Sequence, residues 1–213
     1  MAGGSGSRMQ AKLPKQFLLL KEKPILMHTI MAFKNYDKKC QIILVLPENH
    51  MEYWENLCAE YNFKVEHLLV KGGKTRFHSV LNGLNSIEKE GIVAIHDGVR
   101  PLVSAATIKE CIQSAAEKGN AIPVVLVNDS VRKIDLSENY SVDRKNYRLV
   151  QTPQCFKSEL IKAAYQQKYS EHFTDDASVL ENMGVKINLV QGNLENIKIT
   201  TQIDLKIAGA LME

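Results

Sequence analysis

The sequence predicts an α/β fold: a Rossmann-like, mostly parallel sheet with helices on both faces, plus a projecting β-arm. Three observations carry that expectation. Short apolar, β-rich runs recur along the chain, stretches of helical periodicity separate several of them, and one polar segment interrupts the alternation. Strands that are apolar throughout, rather than at every second residue, belong to sheets covered on both faces, and strand–helix alternation builds such sheets from parallel strands.

In chain order, strands are expected at 41–47, 65–70, 92–96, 121–127 and 186–190. Helices are expected at 24–36, 48–61, 75–88 and 104–118. Pro24 suits a first helical turn, Ser104 and Thr174 suit N-caps, and Gly119 and Gly184 suit helix ends, where a left-handed residue costs glycine least. From 128 to 147 polar and charged residues surround short β-like pieces with no helical face, which reads as a β-arm or lid. A chain of 213 residues fits one domain, since single cores run to roughly 250 residues before splitting.

Composition narrows the function. The hydrophobic share of 45% and charged share of 24% are those of an ordinary globular chain. No apolar run approaches the roughly 20 residues that span a bilayer, and the first eight residues lack the apolar stretch of a secretory signal, so a cytoplasmic location is expected. The four cysteines form no CxxC pair and no zinc spacing with the six histidines. A net charge of +3, dispersed along the chain, gives no basic stripe for nucleic acid.

Four motifs carry chemistry. Ala2-Gly3-Gly4-Ser5-Gly6-Ser7-Arg8, followed by Pro14-Lys15, is a glycine loop whose backbone amides can approach a triphosphate, with two cations behind it. It is not a Walker A loop, because it ends in Ser7-Arg8, nor a dinucleotide fingerprint, because Met9 stands where a third glycine belongs. His96-Asp97-Gly98-Val99-Arg100-Pro101 ends an apolar strand, the place where parallel sheets present ligand-binding residues. Asp97 is the expected Mg²⁺ ligand, since one carboxylate suffices for an ion that keeps its waters and bridges phosphates. His96 reads as a hydrogen-bonded core residue, and Arg100 as a partner of Asp97 or an orienter of the loop. Gly72-Gly73, leading towards Ser79, can meet a base or phosphate, and Lys198 ends a short strand.

Together with Val142-Asp143-Arg144, Gln151-Thr152-Pro153-Gln154, Thr174-Asp175-Asp176-Ala177-Ser178 and Asn196-Ile197-Lys198-Ile199-Thr200, these motifs closely resemble the 2-C-methyl-D-erythritol 4-phosphate cytidylyltransferase family, in order and over nearly the whole chain. That resemblance implies a nucleotidyltransferase-type sheet, transfer of the cytidylyl group of CTP to 2-C-methyl-D-erythritol 4-phosphate, and a divalent cation. It assigns transition-state stabilisation to Arg8 and Lys15, and acceptor positioning to Arg144 and Lys198. Ala2, Gly3, Gly4, Gly6, Gly73, Ser79, Asp97 and Arg100 would surround the nucleotide, and Ser130, Thr152 and Thr174 the acceptor. It further implies a homodimer through the 128–147 arm, with Arg144 reaching the partner's site.

Two departures stand out. In the family a strand precedes the glycine loop, and Met1 occupies the position of its last residue, so the first strand is expected to be missing. An interior strand contributes several aliphatic side chains worth roughly 1.5–3 kcal/mol each when buried, so lower stability or inactivity is expected without it. Lys74 stands where some relatives carry an acidic residue. Ribitol 5-phosphate cytidylyltransferases share several motifs, but the 142–154 and 174–178 segments match the methylerythritol enzymes better. A non-catalytic nucleotide-binding subunit is the other alternative, and cations suited to both substrates argue against it.

Overall fold

A computed structural model of the chain describes residues 1–2 and 13–212. After a short 3-10 turn at Lys15–Phe17, the elements run β1 (Leu19–Leu20), β2 (Lys23–Pro24), α1 (Ile25–Tyr36), β3 (Ile43–Leu46), α2 (Met51–Glu60), β4 (Leu68–Lys71) and α3 (Arg76–Asn85). Next come β5 (Ile92–Ile95), α4 (Ala105–Lys118), β6 (Asn120–Leu126), β7 (Val131–Asp135), β8 (Glu138–Val142), β9 (Arg148–Val150) and β10 (Gln154–Lys157). The chain closes with α5 (Ser158–Ala164), α6 (Asp176–Glu181), β11 (Leu189–Gln191) and α7 (Gln202–Leu211).

The five strands read from sequence are β3, β4, β5, β6 and β11; β3 and β4 run parallel to each other, and β5, β6 and β11 point the same way as one another. β3 pairs with β4 and β6 with β11 in parallel, while β5 and β6 are each antiparallel to β10, which lies between them. The five-stranded sheet thus contains two reversed strands that the sequence pattern did not reveal, β10 and also β9, which pairs antiparallel with β6, while β3 and β4 form a two-stranded sheet beside it. The arm is the hairpin β7–β8, turning at Leu136 with φ of 50°.

Helix ends follow their side chains. Ser104 caps α4 by accepting from Thr107 N, and Gly119 ends it at φ of 92°. At α6 the cap is Asp175 rather than Thr174: its carboxylate accepts from Ser178 N, and Ser178 Oγ accepts from Asp175 N, so two of the four orphan amides of the first turn are satisfied. The core has two main bodies. Phe17, Leu26, Leu46 and Trp54 fill one beside β3 and β4, and Phe77, Phe156, Tyr165 and Leu180 fill the other around β10 and α5.

Met1 and Ala2 lie between the edges of β3 and β5. Met1 N donates to His96 O at 2.7 Å, Gly98 N donates to Met1 O at 2.7 Å, and Ala2 N donates to Val45 O at 3.2 Å. The first two bonds form one parallel rung. Behind that rung, between β3 and β5 and between α1 and α3, lies a largely apolar cavity of about 630 Å³. No helix among the described residues is long and apolar enough to cross a membrane.

Candidate functional site

At the carboxyl ends of β4 and β5 a second cavity, of about 350 Å³, is lined by residues from each of the four motifs to which the sequence assigned chemistry. Ala2, Lys15, Gly73, Ser79, Asp97 and Lys198 all face it, together with Lys74, Thr75 and Arg76. Gly3, Gly4, Gly6 and Arg8 lie outside the described residues.

Each residue is held by local chemistry. Ala2 is buried, with its carbonyl accepting from the buried Gln16 amide at 2.9 Å. Gly73 leads into α3, where a Cβ would approach His78 Cβ to 2.5 Å, so only glycine lets the turn run against the helix. Ser79 Oγ accepts from Gly73 N at 3.0 Å and donates to Thr75 O at 2.9 Å, binding the turn to the first helical turn. The strand end that presents Asp97 is braced from below. Asp97 N donates to Thr152 Oγ, that hydroxyl bonds His96 Nδ1 at 3.0 Å, and His96 Nε2 bonds Arg100 O at 3.0 Å. His96 is therefore the hydrogen-bonded core residue expected, 7% exposed, and burial holds its imidazole down, at about 4.

Asp97 Oδ2 sits 3.1 Å from both Arg100 Nε and Lys198 Nζ. Burial alone would raise this carboxyl, but Lys198 and then Arg100 override it and hold it well below the usual carboxylate range. Arg100 also donates to Asn196 O at 2.8 Å, so it orients the loop as well as pairing with Asp97. Lys198 is fixed by its neighbour: Ile199 N donates to Val99 O at 3.0 Å, and Asn196 Nδ2 donates to Thr152 O at 2.8 Å.

A permanently ionised hard-oxygen ligand suits Mg²⁺. Both cation contacts fall on Oδ2. Among the described residues no group of three His, Cys, Asp or Glu could hold a metal, so Asp97 stands as a single carboxylate candidate.

The remaining expected residues lie elsewhere. Thr152 is buried, its hydroxyl committed to Asp97 and His96. Thr174 is exposed, one residue ahead of α6, and Ser130 is exposed at the root of the arm. Arg144 is on the arm in a 3-10 turn capped by Asp143, with its guanidinium donating to Asn128 O.

Sequence reasoning missed a second brace. Arg76 makes a two-pronged pair with Asp176, at 2.8 and 2.5 Å, and Tyr165 OH donates to the same carboxylate at 2.6 Å. Gln154 at the start of β10 completes it: Oε1 accepts from Asp176 N and Ala177 N, and Nε2 donates to Asp175. Burial lowers and Asp176 raises Arg76, which ends well above its ordinary value. This network ties the Gly73 turn to the helix that follows Thr174. Residues 100 positions apart offer no spacing signal by which the pair could be found.

A family model described as 2-C-methyl-D-erythritol 4-phosphate cytidylyltransferase matches residues 1–213. Curated proteins of that name from Bacteroides thetaiotaomicron and Bacillus velezensis are 52% and 38% identical, over 100% of this chain and 97% and 93% of theirs. Among solved structures, the 4-diphosphocytidyl-2C-methyl-D-erythritol synthase of Anaerococcus prevotii superposes with a TM-score of 0.83 at 27% identity, covering 99% of this chain and 94% of the other. The 2-C-methyl-D-erythritol 4-phosphate cytidylyltransferase of Thermus thermophilus gives 0.77 at 30% identity, covering 93% and 94%.

Proposed function

The chain belongs to the 2-C-methyl-D-erythritol 4-phosphate cytidylyltransferase family, and from that premise we propose how its residues join CTP to 2-C-methyl-D-erythritol 4-phosphate, giving 4-diphosphocytidyl-2-C-methyl-D-erythritol and pyrophosphate. It is a nucleotidyltransferase enzyme, and its relatives name the methylerythritol acceptor rather than ribitol phosphate.

The observation that carries the mechanism is the 350 Å³ cavity, where Lys15, Asp97 and Lys198 meet the Gly73 turn. A phosphate oxygen of the acceptor attacks the α-phosphorus of CTP in line. The new P–O bond forms as the bond to the β-phosphate breaks, and pyrophosphate leaves with its electron pair. Little covalent work falls to the protein, so positioning and charge neutralisation supply the rate. Lys15, with Arg8, offsets charge developing on the α-phosphate. Lys198 orients the acceptor phosphate, and Arg144 does so from the arm of a second subunit. The nucleotide lies along Ala2, Gly3, Gly4, Gly6, Gly73 and Ser79, with the base near Gly73 and Ser79. Ser130, Thr152 and Thr174 border the acceptor.

Asp97 would hold Mg²⁺, which when bound neutralises charge shared between phosphates, and Arg100 keeps that carboxylate in place. The reading includes one domain over 1–213, a homodimer through the 128–147 arm and a cytoplasmic location. Exposed Ile134, Leu136 and Tyr140 give the arm the apolar surface that a partner would cover.

Pyrophosphate release from CTP and Mg²⁺, with methylerythritol 4-phosphate and ribitol 5-phosphate as rival acceptors, tests the reading. Turnover with the first alone is expected. Turnover with ribitol phosphate would replace the acceptor, and CTP binding without turnover would make the chain a nucleotide-binding subunit.

A further inference from the structure

We propose that Thr152 is a positioning residue for this reaction: its hydroxyl sets Asp97 and its carbonyl sets Lys198, so one buried residue fixes both members of the ion pair that lines the cavity. The inference rests on the cytidylyl-transfer reading above and gives Thr152 a part in it other than that of an acceptor ligand.

The direction of each bond follows from the groups present. Asp97 N can only donate, so Thr152 Oγ accepts from it at 3.1 Å. His96 Nε2 faces the carbonyl oxygen of Arg100 at 3.0 Å, an atom that can only accept. In the neutral ring that nitrogen therefore carries the proton, and Nδ1 keeps a lone pair. Thr152 Oγ stands 3.0 Å from Nδ1 and has a single proton, which goes to His96. The hydroxyl has no proton left for a substrate. It belongs to a residue 6% exposed that does not line the 350 Å³ cavity. Arg100 closes the ring, because its Nε donates to Asp97 Oδ2 at 3.1 Å while its carbonyl receives from His96. The main chain and the carboxylate of Asp97 are thus held from two sides by His96, Arg100 and Thr152.

The other side of Thr152 serves Lys198. Its carbonyl accepts from Asn196 Nδ2 at 2.8 Å, and Asn196, fully buried, accepts from Arg100 Nη1 at its own carbonyl, also at 2.8 Å. Two residues further on, Lys198 Nζ meets Asp97 Oδ2 at 3.1 Å. Thr152 therefore borders the acceptor but acts on it through Lys198. Misplacing reacting groups by about 1 Å can cost roughly a hundredfold in rate, so the residue that ties these two segments together governs the alignment of nucleotide with acceptor.

Calorimetry of CTP with Mg²⁺, in the absence of acceptor, separates the two roles. An acceptor ligand contributes nothing before acceptor is present, whereas a brace for Asp97 already acts. Thr152→Val keeps the shape and removes the hydroxyl, and Thr152→Ala serves the same comparison where Thr152→Val does not fold. CTP affinity should fall roughly tenfold, the scale of one lost hydrogen bond to a buried group, and Thr152→Ser should recover most of it. Hydrogen exchange at the Asp97 amide, read without any ligand, should quicken in Thr152→Val and slow again in Thr152→Ser. Asn196→Ala cuts the other arm and should raise KM for the acceptor by a larger factor than Kd for CTP; equal factors would overturn the link to Lys198. The proposal is overturned if Thr152→Val binds CTP as tightly as the parent chain, and a raised acceptor KM alone would then make the hydroxyl an acceptor ligand. It is overturned equally if the Asp97 amide exchanges no faster. A parent chain that binds CTP without making product counts against cytidylyl transfer alone, and one that binds no CTP leaves the Asp97 amide to decide the brace.

Discussion

Replacing Arg76 with Met isolates the brace between the nucleotide turn and α6. The Asp176 side chain is fully buried, and Arg76 supplies two of the three side-chain hydrogen bonds to its carboxylate. Removing one partner of a buried pair leaves an uncompensated charge and costs about 3–5 kcal/mol. Because 36% of the Arg76 side chain meets solvent, water can enter beside it, and the lower end, about 3 kcal/mol, is the expected loss. At 2–4 °C per kcal/mol for a chain of this length, the melting temperature should fall by roughly 6–12 °C. Arg76→Met combined with Asp176→Leu removes both charges and should recover much of that loss, with the coupling read from a double-mutant cycle in urea. Arg76→Lys keeps the charge but not the fork and should fall between. The same variants should raise KM for the acceptor more than for CTP, since α6 follows Thr174. A single variant within about 1 kcal/mol of the parent, or a double variant that loses the sum of the two singles, would refute the reasoning.

Lys15→Ala should lower kcat by roughly 100-fold or more while CTP still binds, as when other transition-state donors are removed; near-normal kcat would end that role. Mixed dimers of Lys15→Ala and Arg144→Ala chains should regain activity if Arg144 acts across the dimer, and none if it acts within one subunit. His96, held at about 4 against an unfolded value near 6.5, binds more protons unfolded than folded between those limits. Stability in metal-free buffer should therefore fall as pH drops from about 6.5 to 4, by an order of 3 kcal/mol, and His96→Gln should flatten that window in urea titrations. The depression of the Asp97 carboxyl acts only below its unfolded value near 3.8, beneath this window. Gly73→Ala drives a Cβ into His78 and should weaken CTP binding, measured by calorimetry, and unchanged affinity would mean that the turn can shift without consequence.

How far the sequence reaches can be judged residue by residue. The helix from Ala105 to Lys118 was legible because its signals are local: a serine before it, a periodic face, a glycine after it. Asp97 was legible because an apolar run stops at it, and β-runs stop where a parallel sheet opens to ligand. β10 was not, since four residues following a proline carry no period and its place between β5 and β6 is set wholly by partners far along the chain. Thr174 and Asp175 are both good caps, and only the geometry of Ser178 selects the second. Ser79 shows a finer limit. Its expected place in the pocket is where the structure puts it, yet its hydroxyl is already shared between Gly73 and Thr75, which no spacing rule could foretell.

The β7–β8 arm also bears on how the protein behaves in company. Ile134, Leu136 and Tyr140 stand exposed on a two-stranded hairpin that carries almost no core of its own. Salts that strengthen apolar burial should therefore act first at the arm, promoting contact between molecules there while leaving the residues around Asp97 as they are.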